Sequence, residues 1–79
     1  MSMNFFILLY TISMFAKRLK ELRLDRRMTQ KELAAKINCD QSMIARWESG
    51  ENEPTASYII KIAKIFNTTA DFLLGFTDM

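Results

Sequence analysis

The sequence predicts a compact all-α domain of five helices, and three observations lead there. Apolar residues recur at three- and four-residue spacing from Phe15 onward, the period of a helix with one buried face. Helix-starting residues (Thr29, Asp40, Thr55, Thr69) precede these runs, and helix-ending ones (Asn38, Gly50, Gly75) follow them. The chain is also short, at 79 residues, and has one cysteine and no histidine. Disulfides and a structural zinc site therefore cannot hold it together, and its core must come from packed helices.

Residues 1–14 form an uncharged, apolar N-terminal extension. Phe5, Leu8, Leu9, Ile12 and Phe15 fit helical spacing, while FFILLYTI fits a strand by propensity, so both conformations stay open here. The run is shorter than the ~20 residues that cross a bilayer, and it lacks the basic start of a signal peptide. Three roles are open for it: a dimerisation element, an extra core layer, or an upstream start ahead of Met14.

Residues 15–79 form the domain proper. The first helix is expected over 15–26, with Phe15, Leu19 and Leu22 on one face and Lys and Arg between them. Thr29 and Glu32 make a capping box for the second helix, which buries Leu33, Ala34 and Ile37 and ends at Asn38. Asp40 is placed to cap the third helix, Gln41–Ser49, which buries Ile44 and Trp47 and stops at Gly50. A polar loop, Glu51 to Pro54, leads to Thr55 and a fourth helix carrying Tyr58, Ile59, Ile62, Ala63 and Phe66. Thr69 starts a short fifth helix with Phe72, Leu73 and Leu74, closed by Gly75. Cys39 reads as a small buried apolar residue.

The net charge is only +2, but it is unevenly placed. Eight basic residues (Lys17, Arg18, Lys20, Arg23, Arg26, Arg27, Lys31, Lys36) and three acidic ones make residues 16–37 net +5, which leaves the remainder at −3. Such a bipolar chain can be oriented on a polyanion. Enzyme chemistry has little support: there is no histidine, no phosphate-binding glycine loop and no metal cluster, and no cofactor is called for. Nothing in the composition points to secretion, so a cytoplasmic protein is expected.

The stretch from Gln30 to Ser49 has what two short helices need to cross steeply. Ala34 allows close approach, Asn38 accepts a left-handed turn, and Leu33, Ile37, Cys39, Ile44 and Trp47 pin both helices to the core. Gln41, Ser42, Met43 and Arg46 are left for the outer face of the second helix of the pair. In a helix-turn-helix this helix enters the major groove.

The whole stretch of 15–75 resembles the Cro and phage-repressor (XRE) family of helix-turn-helix domains. The residues that carry the resemblance are LKELR from Leu19, MTQKELA from Met28, IARWESG from Ile44, Pro54–Thr55 and ADFLLG from Ala70. It implies a lambda-repressor-like DNA-binding domain and a transcriptional regulator of repressor type, working as a homodimer on a pseudo-palindromic operator in double-stranded DNA. No membrane and no small-molecule ligand are implied. It places Gln30 on a phosphate and against the recognition helix, and Gln41, Ser42 and Arg46 on bases, with Met43 flanking them. It also places Asn52 near the phosphate backbone, and pairs Arg23 with Glu48 in a structural salt bridge. The Lys and Arg of the first two helices, Lys17 and Arg18 among them, are expected to supply further phosphate contacts. Three positions depart from the family pattern: Glu51 and Glu53 make the loop acidic where relatives are often basic, and Asn38 stands where glycine is common. The alternative function is a protein-interaction module, antitoxin-like or deficient in DNA binding.

Overall fold

A computed structural model describes residues 2–78 as five helices: α1 (Ser2–Asp25), α2 (Gln30–Ile37), α3 (Gln41–Ser49), α4 (Ala56–Ile65) and α5 (Ala70–Leu74). Among the described residues there is no strand. The conformation left open for the extension is therefore helical, and it is continuous with the first helix of the domain. The helix expected over 15–26 starts at Ser2 instead and ends at Asp25. A strand there would need a neighbouring strand for its N–H and C=O groups, whereas a helix satisfies them within the segment.

One core joins all five helices. Phe15 and Leu19 of α1, Leu33 and Ile37 of α2, Ile44 and Trp47 of α3, Ile62 and Phe66 of α4 and Leu73 of α5 are all buried in it. α1 packs on α3 and α5, and α2 packs on α3 and α4. Trp47 meets Phe15 edge-on at 6.1 Å between ring centres and Tyr58 at 5.2 Å, so one aromatic group ties α3 to both α1 and α4. Cys39 is half-buried rather than fully enclosed, because it lies in the turn after α2. Burial raises the pKa of its thiol, Asp40 adds to this, and Lys61 opposes it. The thiol is therefore protonated at neutral pH and behaves as a small apolar group.

The helix ends explain the turns. Thr29 accepts from the N–H of Glu32 at 3.0 Å, and the Glu32 carboxylate accepts from the N–H of Thr29 at 2.8 Å, which is a complete capping box. These two bonds hold the Glu32 carboxyl below its usual pKa. Asn38 takes the left-handed conformation at φ 59°, and the Cys39 N–H returns to the Ala34 carbonyl at 2.9 Å. Asp40 and Thr55 hold the N-cap backbone position, yet neither side chain accepts a capping bond; the Thr55 hydroxyl lies 3.2 Å from that of Ser57 instead. Thr69 does cap α5, through Phe72 N–H at 3.0 Å.

The C-terminal segment is strapped to α1. Gly75 ends α5 at φ 87°, and a Cβ there would lie 2.7 Å from Met14 Cγ and 2.9 Å from the Tyr10 ring. Only glycine allows this closeness. The Tyr10 hydroxyl donates to the Gly75 carbonyl at 2.6 Å. Arg18 stacks over the Phe72 ring at 4.3 Å and donates to the carbonyls of Phe72 and Thr77.

Candidate nucleic-acid interface

The candidate surface is built on α2, the left-handed turn at Asn38, and α3. Ala34 is 3% exposed, and its carbonyl accepts the Cys39 N–H of the turn that joins the two helices. Ile44 and Trp47 anchor the inner face of α3. Ser42 and Arg46 are exposed on its other side, and Gln41 is exposed at the flank beside Ile44. Met43 differs from its expected place on the outer face. It is half-buried against the core, because it lies one turn before Trp47 and shares that helix face. Only part of its side chain is open to a ligand.

A polar network fixes α3 from behind. Arg23 Nε donates to Glu48 Oε2 at 2.6 Å, and its Nη2 donates to Oε1 at 2.9 Å, a forked pair in which both side chains are nearly enclosed. Its Nη1 donates to the Met28 carbonyl at 2.8 Å. The hydrogen bond to Glu48 raises the Arg23 pKa against the opposing effect of burial. Gln30 Nε2 donates to the same Glu48 carboxylate at 3.1 Å. Gln41 Nε2 lies 3.5 Å from Gln30 Oε1, at the outer limit of a hydrogen bond. Arg23 on α1, Gln30 at the start of α2, and Gln41 and Glu48 at opposite ends of α3 thus belong to one connected set. No buried side-chain polar atom among the described residues lacks a hydrogen-bond partner.

Asn52 is exposed in the loop after α3, between Glu51 and Glu53. Glu51 receives a 3.4 Å contact from the Ser49 hydroxyl, so that carboxylate turns back toward the end of α3. Arg18 is not the free surface charge expected of it, because its guanidinium is committed to Phe72 and the C-terminal carbonyls. Arg26 is also engaged: its Nη2 donates to the Phe66 carbonyl at 3.3 Å and its guanidinium lies over the Phe66 ring. Lys17, Lys20, Arg27 and Lys31 are exposed. Lys31 is the exposed cation next to Gln30 in the first turn of α2. Spacing in the sequence does not show that Lys36, Lys61 and Lys64 surround one open groove of about 360 Å³ floored by Ile37 and Ile65. α2 and α4 bring these lysines together only through the fold.

Chemically, the exposed face of α3 offers an amide, a hydroxyl and a guanidinium. An amide can bridge adenine N6 and N7, and a guanidinium can fork onto guanine O6 and N7. The braced network holds the helix that carries them at a fixed angle to α2.

The helix-turn-helix family pattern matches residues 19–73. The chain is 36% identical over 59 residues to the HTH-type transcriptional regulator ImmR of Bacillus subtilis, covering 75% of this chain and 46% of that one. It spans about half the length of the curated Bacillus subtilis relatives that it matches. Among solved structures, an HTH_3-family transcriptional regulator from Vibrio cholerae superposes with a TM-score of 0.75 at 25% identity, over 86% of this chain and 38% of the other. Hydroxypropylphosphonic acid epoxidase from S. wedmorenis also matches, with a TM-score of 0.75 at 29% identity, over 82% of this chain but 35% of the enzyme. That likeness concerns a fold shared with about a third of the enzyme, and a fold alone assigns no reaction.

Proposed function

Since the chain belongs to the helix-turn-helix family, we propose that it is a DNA-binding transcriptional regulator that lays α3 in the major groove and reads bases with Gln41, Ser42 and Arg46. The observation that carries this reading is the division of α3. Ile44 and Trp47 lock one face into the core, while Gln41, Ser42 and Arg46 stay exposed. The N-terminal part of α3 makes the closest base contacts, and Gln30 contacts phosphate while bracing Gln41. Asn52 and backbone N–H groups of its loop approach the phosphate backbone, with Glu51 drawn toward Ser49. Exposed Lys17, Lys20 and Lys31 add to the positive field.

The regulator acts as a homodimer on a pseudo-palindromic operator, with half-sites about 10 base pairs apart or a multiple of that. It represses by occupying DNA that the transcription machinery needs. A salt titration tests the reading. Affinity for the operator should fall steeply and linearly on logarithmic axes, with a slope of about −0.9 per phosphate neutralised, and should exceed that for random duplex by at least about 10³. Binding that is insensitive to salt, or equal on both duplexes, would support the protein-interaction module instead.

A further inference from the structure

Helix α1 outruns the domain it belongs to. Its apolar stripe alternates steps of three and four residues: Phe5, Leu8, Ile12, Phe15, Leu19 and Leu22. This is the seam of a packed helix. The domain covers only the lower part. Phe15 and Leu19 are buried and Leu22 and Ile12 are half-buried, but Phe5 and Leu8 are 58% and 42% exposed. Phe6, Ile7, Leu9 and Tyr10 are also exposed. Below the overhang lies a groove of about 180 Å³ lined by Thr11, Ile12, Glu53, Pro54, Ile59 and Leu74.

We propose that a second copy of this chain covers the overhang. In this arrangement the two α1 helices pair about a two-fold axis along Phe5 and Leu8, and each tip seats in its partner's groove. Three observations favour a second copy. Residues 1–16 carry no charged side chain, so the two α1 faces meet without opposing ions, and Glu53, the one charged residue lining the groove, is exposed and keeps its carboxylate toward water. Phe5 to Tyr10 are six consecutive large apolar or aromatic residues, each between 42% and 65% exposed, a contiguous patch of the kind that marks a protein–protein contact. No helix among the described residues is long and apolar enough to cross a bilayer, and Tyr10 and Met14 are tied to Gly75. The inference deepens the dimer reading above. It is tested without DNA, so a failure to bind an operator leaves its outcome untouched.

Sedimentation velocity of the full chain decides it. The wild type should sediment at twice the 9.2 kDa chain mass. Phe5→Lys with Leu8→Lys should reduce this to the single-chain mass with an unchanged helical circular dichroism spectrum. Phe6→Lys, off the seam, should still dimerise and serves as the control for added charge. A wild type at single-chain mass, or a doubled mass that survives Phe5→Lys with Leu8→Lys, would overturn the proposal. A monomer that co-sediments with phosphatidylcholine vesicles would overturn it too, in favour of a lipid surface.

Discussion

Removing the Glu48 carboxylate should cost more than any surface substitution in the domain. Arg23 makes three hydrogen bonds, two of them to Glu48 at 2.6 and 2.9 Å, and the side chains of the pair are only 9% and 4% exposed. Glu48→Ala leaves the guanidinium enclosed with the Met28 carbonyl alone and frees Gln30 from its acceptor. Breaking a buried ion pair from one side costs about 3–5 kcal/mol. A chain of this length has a total stability of about 4–12 kcal/mol. The melting temperature should therefore fall by at least about 12 °C. Replacing both partners with apolar residues, Arg23→Met with Glu48→Leu, should recover most of the loss, because no unpaired charge then remains. Urea unfolding followed by circular dichroism on Arg23→Met, Glu48→Leu and the double variant gives the full cycle, with Glu48→Ala measured beside it. A Glu48→Ala cost below about 1 kcal/mol would contradict this expectation, as would a double variant whose cost is the sum of the Arg23→Met and Glu48→Leu costs.

Arg46→Ala should flatten base preference at one operator position by about 1–3 kcal/mol, whereas Lys31→Ala should weaken binding to all sequences alike and lower the salt slope by about one; competition binding on operator and random duplexes separates the two. Glu32 ionises more easily folded than unfolded, so its contribution is present above the ordinary carboxylate range and is lost as pH falls through the folded pKa. Glu32→Gln keeps an acceptor for the Thr29 N–H, and melts recorded from pH 7 down to pH 3 should show a shallower acid limb than the wild type. Gly50→Ala, which meets nothing within 4 Å, should lose about 1–2 kcal/mol from its left-handed backbone alone. Gly75→Ala should lose more, because its Cβ strikes Met14 and Tyr10; equal melting shifts for the two glycines would mean that α1 does not press on Gly75 in solution.

Local chemistry made the helix boundaries legible. Thr29 and Glu32 announce a capping box by spacing alone, and Asn38, Gly50 and Gly75 stand where left-handed backbone ends a helix. The apolar period likewise separates Ile44 and Trp47 from Gln41, Ser42 and Arg46 on α3. What was not legible depends on contacts distant in sequence. The run from Phe5 to Ile12 fits both helix and strand, and its conformation is settled by the lack of a strand to pair it among the described residues and by Gly75, 65 positions beyond Tyr10. Arg18 looks like any solvated cation until Phe72 and Thr77 arrive beside it. Met43 is the exception: its four-residue spacing from Trp47 is a local signal that puts it toward the core, apart from Ser42 and Arg46. At Asp40 and Thr55 the residue type indicates the N-cap backbone but not the side-chain rotamer, and the capping bond depends on that rotamer. No local pattern pairs Arg23 with Glu48 across 25 positions; only the family resemblance links them at the level of sequence.

Selection of bound duplexes from a random DNA pool tests the central claim, that α3 reads bases, most directly. The enriched motif should be two-fold symmetric, with half-sites about 10 base pairs apart or a multiple of that. Arg46→Ala should select the same motif with one position per half-site relaxed. A pool that stays unenriched with the folded wild type, or an Arg46→Ala motif identical to the wild type's, would contradict it.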